Sequence, residues 1–262
     1  MSALRTFRFA LFVGVRDFTS FWGWKSWFGG WMVQMIAQAV FFSLLARLFE
    51  SPDQERFLLI GYAVAVGAAN VAWTIQSTAW DRWIGTYPLL VIAPSSLAPA
   101  VMGRTSIWLP AGVATTLLTL SFMAIVFDLA LPWPAATAVV PLVLLTSLST
   151  YSFSLFLGAL VIRIPGARNF VHSVITIGAR AFCGVSVPVA FWPEAVQIVV
   201  QFLPITHGLQ AIRFLLDEAP VSQVILSASL ELAVALGWII LALIAMDRMA
   251  NAGRADGSIE FV

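Results

Sequence analysis

Six stretches of this 262-residue chain run for about 20 residues or more with no charged side chain or with only one. A helix needs about 20 mostly apolar residues to cross the ~30 Å hydrocarbon layer of a bilayer. The candidate spans are Ser26–Ala46, Phe57–Trp80, Thr105–Phe127, about 136–162, about Asn169–Phe191 and about Val221–Met246. The fourth belongs to a longer run that opens on Pro132 and Pro134, the fifth holds Arg180 and the sixth holds Glu231. Composition agrees: 60% of residues are apolar and 10% are charged, against about 25% charged in an ordinary soluble domain. A net charge of +1 excludes a basic nucleic-acid binder, and no nucleic-acid partner is expected. The expected fold class is an all-α polytopic membrane protein with six transmembrane helices.

Two further uncharged or nearly uncharged stretches do not read as lipid-facing helices. Residues 83–103 contain Pro88, Pro94 and Pro99, and a proline inside a helix costs about 3 kcal/mol. Residues 195–212 mix Gln197, Gln201, Pro204, Thr206, His207, Gly208 and Gln210. Basic residues favour cytoplasmic segments. With six spans and the N-terminus inside, ten lie on the cytoplasmic side (Arg5, Arg8, Arg16, Lys25, Arg82, Arg104, Arg163, Arg168, Arg248 and Arg254) and three outside (Arg47, Arg56 and Arg213). A seventh span at 83–103 would reduce this to six against seven. Both termini are therefore expected in the cytoplasm.

Residues 1–25 read as an amphipathic cytoplasmic interfacial helix, 26–250 as the six-helix domain and 251–262 as a short cytoplasmic tail. At 100° per residue, Leu4, Phe7, Leu11, Val15, Phe18 and Trp22 share an arc of about 80°, with Arg5 and Arg16 off it. Such a helix lies at the bilayer surface, basic side toward anionic headgroups, or packs on protein.

Chemistry-bearing residues are few. Lys25 is the only lysine and follows Trp24, so the chain has no phosphate-cradling loop of the G-x-x-x-x-G-K-[ST] kind. His172 and His207 fall on opposite sides, Cys183 is the only cysteine, and no metal-ligand spacing appears. No catalytic residue or metal site is expected, and the chain reads as no enzyme. Arg180 and Glu231 lie at matching depths near mid-bilayer, where a lone charge is expensive. They are expected to pair between the last two spans or to line one polar cavity.

Two local motifs resemble those of the ABC-2 type transporter permeases. Asp81-Arg82-Trp83-Ile84-Gly85-Thr86, followed by Leu89-Leu90 and Ala93-Pro94, is similar to the family's coupling segment between spans two and three. Asp81 stands where the family favours Glu, and Trp83 replaces its second acid. Pro188 through Pro193, then Leu203-Pro204-Ile205-Thr206 and Ala211-Ile212-Arg213, is similar to the re-entrant outer helices before the last span. The resemblance implies the membrane subunit of an ATP-driven exporter in the cell inner membrane, paired with a second permease copy or paralogue. Two ABC ATPase (nucleotide-binding) subunits would carry ATP and Mg, with no cofactor on this chain. Asp81, Arg82, Gly85 and Thr86 would be exposed and would couple to the ATPase, and Gln201, Pro204, Thr206, His207 and Arg213 would form an outer re-entrant gate. Few charges and many aromatics suit a lipid-linked, peptidic or hydrophobic cargo. The alternative is an ion-coupled secondary transporter in which Glu231 titrates.

Overall fold

A computed structural model describes residues 3–21, 23–26, 51–83, 96–129, 131–162 and 164–255, with isolated positions between (29, 30, 33, 36–38, 40, 41, 44, 85 and 90). The expected span Ser26–Ala46, Trp22, Thr86 and residues 256–262 lie largely or wholly outside the described residues. Among the described residues every regular element is helical. The principal helices are α1 (Ala3–Phe21), α2 (Pro52–Val71), α3 (Trp73–Trp83), α4 (Leu97–Thr105), α5 (Trp108–Val126), α6 (Val139–Val161), α7 (Arg168–Phe182), α8 (Glu194–Val200), α9 (Thr206–Leu216) and α10 (Val221–Ala255).

Among the described residues four helical stretches are long and apolar enough to cross a membrane: Pro52–Arg82, Leu97–Val126, Ala135–Val161 and Val221–Ala252. The first is central. Pro52 starts it at a position where its missing N–H is not needed, and Asp53 and Glu55 complement the positive helix end. From Leu59 to Ala68 every residue is buried, and α2 packs against α5, α6, α7 and α9. A helix apolar all round belongs in the middle of a bundle. α10, in contrast, leaves Leu226, Leu230, Leu236, Ile240 and Ile244 exposed and packs mainly on α6 and α9.

Two expected boundaries move. The third span begins at Leu97 instead of Thr105, because α4 and α5 run on through a turn at Ser106–Ile107. Pro94 precedes α4 and Pro99 falls in its first turn, where proline is tolerated. The helix in the fifth expected span ends at Phe182, not Phe191. Its 15 residues reach about 22 Å, short of the hydrocarbon thickness. The chain then bends through 183–187 before a turn at Val189–Phe191.

Close approach between helices depends on glycine. A methyl at Gly67 of α2 would overlap Thr116 Oγ1 of α5 and approach the Gly112 carbonyl. Small residues let backbones come together where lipid offers no hydrophobic drive. We expect Gly67→Val to lower the melting temperature in detergent by the equivalent of about 1–3 kcal/mol. Gly237→Ala in α10, with nothing within 4 Å of the added methyl, should leave it unchanged or raise it.

Candidate functional site

The α1 end of the molecule carries a partly buried ion cluster. Asp17 on α1 accepts from Arg104 Nη2 at 2.7 Å, and Arg104 Nη1 bonds Asp81 of α3. Only 4% of the Asp81 side chain is exposed, against 40% for Asp17. Asp81, expected on an exposed coupling surface, is therefore internal, because Arg104 at the end of α4 reaches it and offsets its desolvation. Arg82 donates to the Ile162 carbonyl at 2.9 Å, tying α3 to the end of α6. Gly85 adopts φ 76°, the left-handed conformation that suits glycine at a helix end, and its N–H bonds the Arg82 carbonyl.

The contact between α1 and α4 explains how Asp17 reaches this cluster. A methyl on Gly103 would meet the Phe7 carbonyl and Ala10, and one on Gly14 would overlap the Arg104 carbonyl. Phe7, Leu11 and Phe18 of the expected apolar face are partly buried with Gly14, whereas Leu4 and Val15 are 67% and 38% exposed. The helix is thus docked on protein along one seam. A mid-helix glycine one turn before Asp17 is the sequence cue to this approach.

At the opposite end, Glu231 is fully buried. It does not pair with Arg180. Its Oε1 accepts the Ile205 N–H at 3.1 Å and its Oε2 the Gly208 N–H at 2.9 Å, so the carboxylate caps the first turn of α9 from another helix. Ile205 sits at φ 82°, a strained conformation for a β-branched residue. Arg180 instead points Nη2 at Gln38 Oε1, 3.4 Å away.

Of the residues expected to form an outer gate, Thr206, His207 and Arg213 turn their side chains onto backbone carbonyls. Thr206 Oγ1 donates to the Val200 carbonyl at 2.7 Å, and His207 Nε2 donates to the Gln201 carbonyl at 3.1 Å. Pro204 is buried in the intervening turn. Arg213 donates to the Gly184 and Phe57 carbonyls at 2.7 and 2.9 Å and lies over the Phe57 ring, holding the bend after α7 against α2.

Among the described residues no three His, Cys, Asp or Glu side chains converge to hold a metal ion. Comparison with protein-family models, with curated proteins and with solved structures finds no match.

Two stability outcomes follow from this geometry. Glu231→Ala leaves two buried N–H groups unpaired, at about 1–3 kcal/mol each, and Glu231→Gln can still satisfy one. Thermal unfolding in detergent should rank wild type above Glu231→Gln and Glu231→Ala last. Arg104→Ala removes the cation paired with the buried Asp81 carboxylate and should cost about 3–5 kcal/mol. Asp17→Asn, at a half-exposed carboxylate, should cost about 1 kcal/mol or less. Equal losses for these two variants would contradict a buried Arg104–Asp81 pair.

Proposed function

We propose that this chain is the membrane-spanning permease subunit of an ATP-driven exporter of the ABC-2 type, working with a second permease copy and two separate ATPase subunits that bind ATP and Mg. The observation that carries this reading is the Asp17–Arg104–Asp81 cluster. It joins the N-terminal helix, the end of the long α2–α3 rod and the start of the next span into one braced unit. A subunit that hydrolyses nothing itself must receive work mechanically. A braced block of short helices at one end of the spans is suited to pass that work on. In this reading Arg82 and Gly85 act at the same end, beside the braced Asp81.

The α8–α9 segment supports the same proposal. The first turn of α9 rests on Glu231, ten residues inside α10, and a methyl at Gly208 would overlap Thr146, seven residues inside α6. Its last turn meets Arg56 near the start of α2, where Arg56 Nε pairs with Asp217 at 2.9 Å. A short helix running from that depth back to the end of a span fits a re-entrant outer element. The six-span topology adds residues 26–46 and the 169–191 segment to the four long helices, with both termini in the cytoplasm of a bacterial inner membrane. The cargo is a lipid-linked, peptidic or hydrophobic molecule moved outward.

An ion-coupled transporter with Glu231 as carrier group is a weaker reading. Both carboxylate oxygens are already occupied by backbone donors that would have to be released in every cycle. Affinity purification of the tagged chain from its native membranes decides between them. An ABC ATPase subunit should co-purify, and Asp81→Asn should reduce transport per ATP hydrolysed. Absence of any ATPase, together with transport driven by an ion gradient in vesicles of the purified chain, would overturn the proposal.

A further inference from the structure

The side of α1 turned away from the bundle carries arginines with nothing to neutralise them. Phe7, Ala10, Gly14 and Asp17 share the face that meets α4, with Phe7 and Ala10 against Gly103 and Gly14 against Arg104. At 100° per residue Leu4, Arg5, Arg8, Phe9, Phe12 and Arg16 fall together on the other side, and all six are exposed. The one acid of this helix, Asp17, is held by Arg104. Among the described residues Arg5, Arg8 and Arg16 take part in no ion pair. Arg16 lies over the Phe12 ring, 5.5 Å from its centroid.

The apolar members of this face are large and uncovered: Leu4 is 67% exposed, Phe9 69% and Phe12 59%. Leu4, Arg5, Arg8 and Phe9 border an open concavity of about 630 Å³. Two guanidinium groups and two apolar side chains around one space suit a phosphate ester that carries hydrocarbon. The planar guanidinium fork matches phosphate oxygens, and the apolar side chains meet the hydrocarbon. The position of the helix fits as well. α1 is fixed to the first turns of the membrane-crossing stretch Leu97–Val126, at the end where Trp80 and Arg82 finish the stretch Pro52–Arg82. Tryptophan and arginine gather where hydrocarbon gives way to headgroups. An acidic protein would match the arginines alone, whereas a leaflet offers phosphate and hydrocarbon within the width of one helix.

We propose that the outward face of α1 docks on anionic phospholipids, with a headgroup phosphate between Arg5 and Arg8 and with Leu4, Phe9 and Phe12 among the upper acyl carbons. The face opposite is already occupied by α4, so α1 does not enter the bilayer by its docked side, and charge decides which lipid it takes. The site requires the chain to lie in a membrane; it does not require an ATPase and stands apart from the exporter reading.

The test uses the full chain in a maltoside detergent, with lipid binding followed by native mass spectrometry. Dioleoylphosphatidylglycerol and dioleoylphosphatidylcholine are titrated separately, and the anionic lipid should bind at least about tenfold tighter. Arg5→Gln, Arg8→Gln and Arg16→Gln should each weaken it by about threefold to fivefold, and the triple variant should lose the preference. Arg248→Gln, at an exposed arginine of α10, should keep it. Inorganic phosphate at the concentration of the lipid should not displace it, because phosphate has no use for Leu4, Phe9 and Phe12. Equal affinity for the two lipids, a preference that survives the triple variant or falls equally in Arg248→Gln, or displacement by phosphate would overturn the proposal. If these arginines hold an acidic protein instead, the purified chain shows no lipid preference and the proposal fails. Should the triple variant not fold, the single substitutions carry the same reading. A lipid preference without a co-purifying ATPase would keep the site and remove the exporter; the reverse would remove the site alone.

Discussion

The bond on which the α8–α9 segment depends is that between the Glu231 carboxylate and the two N–H groups at the start of α9. A helix that begins away from water leaves its first N–H groups without partners, and each unpaired group is costly. A carboxylate is the strongest acceptor a protein can supply, and the positive end of the helix stabilises its charge in return. Neither group is tolerable alone at that depth, and together they account for each other. The left-handed Ile205 belongs to the same arrangement, because its N–H is one of the two that Glu231 holds.

The α1 end solves the converse problem with charges of both signs. Asp81 is buried where the long α2–α3 rod ends, so it requires a cation, and Arg104 arrives on α4 to supply it. Arg104 has capacity for a second acid, and Asp17 uses it to fix the rotation of α1 about its own axis. Glycine makes this geometry possible, since side chains at Gly14 or Gly103 would hold the two helices apart. The arginines on α1 are left on its outward side, away from the cluster.

Much of this was legible from the sequence because apolar run length obeys a hard constraint. The three central spans and the last helix were placed from stretches with no charge or, for the last, only Glu231, with boundary errors where prolines lay in a first turn instead of a helix interior. The depth of Glu231 was also legible. Its partner was not, because a lone acid and a lone arginine at matched depth suggest an ion pair, and nothing in a sequence marks backbone N–H groups as the competing donors to that carboxylate. Asp81 was misread for a related reason. A polar residue between two spans looks solvated until Arg104, 23 positions away, is seen to fold back over it. The apolar face of α1 was drawn correctly as a period, but which part of it meets protein depends on Gly14, a residue without a side chain to count.

The middle of the bundle makes the same point about polarity. Asn70, Thr115, Thr116, Thr119, Thr146 and Thr150 are all buried there. In a membrane protein such a group invites the idea of a watery path. Their hydroxyls, however, are turned back on their own helices: Thr115, Thr116, Thr119, Thr146 and Thr150 each donate to the carbonyl four residues earlier. Asn70 then donates to Thr115 Oγ1 at 2.7 Å across the α2–α5 contact. Threonine used in this way is a small side chain whose polarity is satisfied within its own turn. It permits the close approach seen at Gly67 and Gly112 without importing water. Polar residues in this core therefore mark where helices touch.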